Sequence, residues 1–232
     1  MLRMIDGTFP FFEEKGHIIS FVGAGGKTTL MYAFAGEFTK NGAKVLVTTT
    51  THIAIPQRKL WAKTADEVNR LWACGSFAVV GRACGEKKLE ALPEAEFEKY
   101  MNMADVVLIE ADGAKHMPCK VPASHEPVII PECDIVIGVM GMDAWGEPIE
   151  RVCFRTEETC GLLDALPTDR LSTQQMAQIL ASEAGTAKNA DGRSYYPTLN
   201  KCDTKERVAA GKEILAKLKE RSFSKGVLVS CL

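Results

Sequence analysis

Four short runs, HIISFV at 17–22, KVLVTTT at 44–50, DVVLIE at 105–110 and DIVIGV at 134–139, are apolar or β-branched at almost every position. Strands that do not alternate polar with apolar residues have no face to offer water, so they belong in a sheet covered on both sides. A further strand is expected at 76–80. Between these runs the pattern predicts helices at 27–40, closed by Asn41 and Gly42, and at 66–73 and 94–103. A helix is expected at 171–184, with Ser172 as N-cap and Gly185 as its stop. A strand ending at 197–200, an amphipathic helix at 204–221 and a strand at 227–231 complete the series. Strands alternating with helices give an α/β fold built on a doubly wound, mainly parallel sheet. The 232 residues suit one domain spanning 1–232. Ligands of such sheets bind beyond the carboxyl ends of the strands.

The balance of charges narrows the partners. A formal net charge of -2 gives no basic excess for nucleic acid or an anionic membrane. Residues 1–15 lack the basic head and apolar run of a signal peptide. The longest apolar runs, such as 135–142, are far short of a membrane span. The eight cysteines are scattered, with no CxxC and no framework spacing, which reads as free thiols in a reducing, cytoplasmic compartment.

After the first run comes Gly23-Ala24-Gly25-Gly26-Lys27-Thr28-Thr29. Glycines let backbone N–H groups converge on an anion, and the N-terminus of the following helix adds free donors and a favourable dipole. Lys27 supplies a point charge for phosphate oxygens and Thr28 a hydroxyl for Mg²⁺. This predicts a P-loop NTPase-like three-layer sandwich that binds a nucleoside triphosphate. The full spacing of that loop would need glycine where Phe21 stands, and the shortened GxxGKT form resembles the loop of the Mur ligases.

DVVLIE ends in Glu110, followed by Ala111, Asp112 and Gly113. An acid at the end of a strand next to the phosphate loop can hold Mg²⁺, and Asp112 is close enough to orient water or act as a base. Near the C-terminus, Asn200-Lys201-Cys202-Asp203 fits the N-K-x-D motif that reads guanine, with Ser230-Cys231-Leu232 placed like the segment lining the same base. Asp203 can alternatively serve as the N-cap of the helix that follows. The threonines at 48–51 are expected beside the phosphates, and Lys115, Lys120 and Arg155 are candidates for neutralising phosphate or an anionic substrate. His52, His116, Cys119, His125 and Cys133 are a conceivable soft-metal set without zinc-type spacing.

FVGAGGKTT, VTTTTHIAIP, the stretch 108–131 and TLNKCDT together resemble the YqeC family, the selenium-dependent molybdenum hydroxylase accessory proteins, over most of the chain. The resemblance implies a role in maturing such a hydroxylase, with the hydroxylase or its cofactor-maturation proteins as partners. A more distant likeness is to metallochaperone GTPases, whose E-x-x-G motif is matched by Glu110 to Gly113 and whose N-K-x-D motif is matched by Asn200 to Asp203. The resulting expectation is a Mg²⁺-dependent NTPase using GTP or ATP, with catalytic residues Lys27, Glu110 and Asp112. Two alternatives remain: an ATP-dependent ligase or kinase acting on a small molecule, and a non-hydrolytic nucleotide-binding interaction module.

Overall fold

The computed structural model describes residues 2–57 and 59–231. Its first half contains β1 (Leu2–Asp6), β2 (His17–Gly23), α1 (Lys27–Lys40), β3 (Val45–Thr49), β4 (His52–Ala54) and α2 (Ala65–Ala73). There follow β5 (Ala78–Val79), β6 (Arg82–Cys84), β7 (Lys88–Glu90), α3 (Glu94–Met101) and β8 (Val106–Glu110). The second half contains β9 (Cys119–Lys120), β10 (Ile135–Gly141), α4 (Ile149–Val152), β11 (Cys153–Phe154), α5 (Thr156–Leu163) and α6 (Thr173–Ala181). It closes with β12 (Ser194–Asn200), α7 (Lys205–Glu220) and β13 (Val227–Cys231).

The main sheet has the order β1-β13-β12-β10-β2-β8-β3-β5. Every pairing in it is parallel except that of β1, which runs antiparallel to β13 at one edge. The alternation of side chains explains why these strands are apolar throughout. Phe21, Val45, Val47 and Leu108 pack with Leu30, Phe34 and Phe38 of α1, whereas Leu46, Val107 and Ile109 pack with Val68 of α2 and Tyr100 of α3. Met140, Leu199 and Leu228 lie in a further cluster with Met176 of α6 and Ile214 of α7. Helices therefore cover both faces, and the chain has the expected mixed α/β architecture. No helix among the described residues is long and apolar enough to cross a membrane.

Differences from the expected elements occur where short-range pattern is weakest. β1 carries mostly exposed side chains and makes its hydrogen bonds with the far end of the chain, so no local periodicity announces it. The small antiparallel sheet β4-β7-β6 and the pair β11-β9 use strands of two or three residues, too short to show a period. The helix expected to reach 184 stops at Ala181, where Ser182 is already extended. Gly185 lies beyond that stop and is pressed against the carbonyl of Ile179, in a turn tied by a bond from the Thr186 amide to that same oxygen.

Phe34 anchors the α1 side of the sheet. Its ring lies 4.7 Å from Phe9, 4.8 Å from Phe12 and 5.2 Å from Phe21. Phe34→Ala is expected to lower the unfolding free energy by about 3–5 kcal/mol through cavity formation, measured as a drop in the urea midpoint.

Candidate functional site

The carboxyl ends of the parallel strands share one edge of the sheet. There Phe21 and Thr49 both align with Glu110, Gly23 aligns with Val139, and Gly141 with Asn200. β2 enters α1 through a turn in which Gly25 (φ +81°) and Gly26 (φ +100°) occupy the left-handed region. Neighbours forbid side chains there as well: a Cβ on Gly25 would strike the backbone of Gly141, and one on Gly26 would come within 2.9 Å of Asn200 Nδ2. The Ala24 amide donates to the Val139 carbonyl at 2.8 Å and the Gly25 amide to the Met117 carbonyl at 3.1 Å. No side chain caps α1 at Gly26. The amides of Gly26, Lys27, Thr28 and Thr29 have no acceptor among the described residues. Free N–H groups at the start of a helix concentrate positive potential and suit an oxyanion.

Lys27, the first residue of α1, is buried. Its Nζ donates to the Gly23 carbonyl at 2.7 Å and lies 3.1 Å from Asp112 Oδ1, an oxygen that accepts no well-aligned hydrogen bond. Asp112 Oδ2 accepts the Gly23 amide at 3.0 Å and lies 3.1 Å from Lys120 Nζ. Lys120, with no exposed side-chain surface, also donates to the Gly113 carbonyl and, at 2.9 Å, to Glu126 Oε2. That oxygen is 3.1 Å from Arg155 Nη2. Charges thus alternate from Lys27 through Asp112, Lys120 and Glu126 to Arg155. Burial works against the Glu126 carboxylate, but the bond and charge of Lys120 outweigh it and hold its pKa below the ordinary value.

Glu110 stands at the end of β8 beside this chain of charges. Thr28 Oγ1 donates to its Oε2 at 2.5 Å. Burial pushes the Glu110 pKa up, against the charge of Lys27 and the Thr28 bond. A hydroxyl and a carboxylate side by side are the hard oxygen donors that Mg²⁺ takes, and a dication there would relieve the cost of burying the Glu110 charge. Tyr32, one turn along α1 from Thr28, has its hydroxyl buried without a partner; burial, then the Glu110 charge, raises its pKa.

The Asn200-to-Asp203 motif reaches the same edge. Asn200 Nδ2 donates to the Gly25 carbonyl at 2.9 Å, so the motif braces the glycine turn directly. Lys201 adopts φ +61° and its Nζ donates to Asp143 Oδ2 at 2.6 Å. Asp203 accepts a bond from Ser230 Oγ. It is not the helix cap: Thr204 caps α7 and accepts the Arg207 amide. Leu232, grouped with Ser230 in the sequence, lies outside the described residues.

Other expectations are redirected. Thr49 and Thr50 spend their hydroxyls on the carbonyls of Glu110 and Val128. Lys120, expected to face phosphate, is sealed between Asp112 and Glu126. His52, His116, Cys119, His125 and Cys133 do not assemble: Cys119 and Cys133 lie in different apolar clusters. Among the described residues the potential ligands that do meet are His52, Cys84 and Glu90, and Glu90 is already held by Arg82 at 2.7 Å. Sequence reasoning missed Asp143 and Glu126. Neither sits in a recognisable motif, and only tertiary contact with Lys201 and Lys120 gives them meaning.

Lys120→Met is expected to cost about 3–5 kcal/mol, because it leaves Asp112 and Glu126 without the cation they share; a chemical-denaturation series measures this. Glu110 gives an opposite, pH-dependent signature. Its folded pKa is raised, so its contribution to stability is fully present below the unfolded value and is lost as pH rises through the folded one. Glu110→Gln should therefore raise the thermal midpoint at pH 8 in chelator, and the gain should vanish as pH falls below the carboxylate range. Differential scanning calorimetry across that interval reads the effect.

The family model described as "YqeC protein" matches residues 19–157. The "Uncharacterized protein YqeC" of Escherichia coli (strain K12) is 28% identical over 218 residues, which cover 90% of this chain and 85% of that protein. The span matched by the family model includes the glycine turn, Glu110 and every member of the charge chain from Lys27 to Arg155, and stops before Asn200. With more than half its length matched in this way, the chain belongs to the YqeC family.

Proposed function

We propose that the chain binds a Mg²⁺–nucleoside triphosphate on the turn from Gly23 to Thr29, as a P-loop NTPase. The observation that carries this reading is the uncapped start of α1, where free amides follow the glycine turn and the first helical residue, Lys27, is a buried cation. In this reading the amides of Gly26 to Thr29 bind phosphate oxygens, and Lys27 turns from the Gly23 carbonyl toward them. Thr28 and Glu110 hold the metal, which supplies neutralising charge to the phosphates. Asp112, fixed by the Gly23 amide and Lys120, is the carboxylate placed to orient water.

A guanine base is the better fit at the other end. Asp203 is partly exposed and, because Thr204 is the cap, is not spent on the start of α7; the paired donors of guanine would replace its present bond from Ser230 Oγ and its 3.9 Å approach to Arg207 Nη1. The cellular role, assisting maturation of a selenium-dependent molybdenum hydroxylase, rests on the likeness to the YqeC accessory proteins. A second reading, an ATP-dependent ligase or kinase, gains support from the cations gathered near Arg155.

Calorimetric titration of ATP and GTP analogues with Mg²⁺ tests the site. Lys27→Ala should weaken triphosphate binding by about 2–3 kcal/mol, the scale of a charge-assisted contact; unchanged affinity in a folded variant refutes the assignment. Asp203→Asn should abolish any preference for GTP over ATP, since an amide presents a donor where guanine needs an acceptor. Product analysis then separates hydrolysis, which releases phosphate alone, from transfer to a second substrate.

A further inference from the structure

β11 ends at Phe154, and three cations converge on its ring. Arg155 Cζ is 4.9 Å from the ring centroid, Lys115 Nζ 5.1 Å and Lys120 Nζ 5.8 Å. Their other commitments differ. Lys120 is buried and bound to Asp112 and Glu126. Arg155 shares with Lys120 a single oxygen of Glu126, and its other acid, the half-exposed Glu158, is 3.9 Å away. Lys115 is exposed and has neither an acidic partner nor a hydrogen bond among the described residues. Asp112, Glu126 and Glu158 balance Lys120 and Arg155, and a ring attracts an exposed cation only weakly, so the charge left unbalanced beside the ring is that of Lys115, which an anion would satisfy.

The backbone marks the same place. Lys115 (φ +45°), His116 (φ +63°) and Arg155 (φ +69°) are non-glycine residues in the left-handed region. Such conformations are strained for residues with a Cβ, and they collect where side chains must be aimed. The pairing of β9 with β11, Cys119 beside Cys153 and Lys120 beside Phe154, brings the two strained segments together. The residue that follows this segment meets the glycine turn: the Met117 carbonyl accepts the Gly25 amide at 3.1 Å.

We propose that Lys115 and Arg155, steadied by Phe154, bind the oxyanion of a second, small acidic ligand beside the glycine turn. The shared chemistry is a compact oxyanion, carried either by a phosphoryl group or by a carboxylate. Its role as a second substrate rests on the nucleotide-binding reading above; its existence as a site does not.

The test uses full-length Lys27→Ala protein, in which the glycine turn has lost its phosphate-binding lysine, alongside wild type. Inorganic phosphate and succinate are titrated in separate arms while the His116 and Arg155 side-chain ¹H–¹⁵N resonances are followed by NMR. Saturable shifts in the Lys27→Ala background are expected, and the arm that saturates first identifies phosphoryl or carboxylate as the preferred group. Adding Lys115→Ala should weaken that binding at least tenfold, and Lys115→Arg should restore it. Lys115 makes no polar contact that the fold needs, so the variant's thermal midpoint should stay at its parent's value. Absence of saturable shifts with both probes, or equal affinity after Lys115→Ala, overturns the proposal. Failure of wild type to bind triphosphate while these shifts persist removes the nucleotide reading and leaves the oxyanion site standing.

Discussion

Asp112 holds the carboxyl edge of the sheet together. Its carboxylate is almost sealed from solvent and lies between the ammonium groups of Lys27 and Lys120, with the Gly23 amide as a further donor. A charge in that position is tolerable only when its partners are fixed as firmly as it is. Lys27 opens α1, Gly23 closes β2, Lys120 sits on β9 and Asp112 follows β8, so one side chain pins two parallel strands, a helix and a small satellite sheet. The need to neutralise Asp112 also explains why Lys120 is wholly buried and why Glu126 and then Arg155 follow in alternation.

This arrangement gives the glycine turn a bonded floor and an unbonded roof. The floor is made of bonds to the Val139 and Met117 carbonyls and of the Asn200 amide on the Gly25 carbonyl. The roof is the row of free amides at the start of α1. Glu110 and Thr28 stand at its margin, where burial raises the energy of a bare carboxylate. A dication and an oxyanion would each relieve a stress that the fold builds in. The strained, cation-rich corner around Phe154 is joined to this turn through Met117 and through Glu126, so the two regions share supports.

Much of this was legible in the residues. The near-continuous apolar strands required cover on both faces, and the structure places α1 on one side and α2 with α3 on the other. GAGGKTT lies between a strand and a helix as expected, and Glu110 ends the strand next to it. Even the distant Asn200 returns to the turn. The short strands and the terminal β1 were not legible, because two or three residues carry no period and an edge strand is defined by its partner.

The sequence by itself determined the α/β alternation, the placement of glycine where the backbone needs φ > 0, and the chemical types grouped at the carboxyl edge. These follow from local sterics and from burial, which act over a few residues. Only the tertiary structure decided how the charges are paired. Lys120 looked like a phosphate ligand and became the counter-ion of Asp112, while Asp203 looked capable of capping a helix and left that place to Thr204. Glu126 and Asp143 had no motif and became partners of Lys120 and Lys201. Pairing of buried charges depends on distances of about 3 Å between residues far apart in the chain, and the strength of such pairs falls steeply with separation and solvent access, so it is fixed only once the sheet and its loops have closed around them.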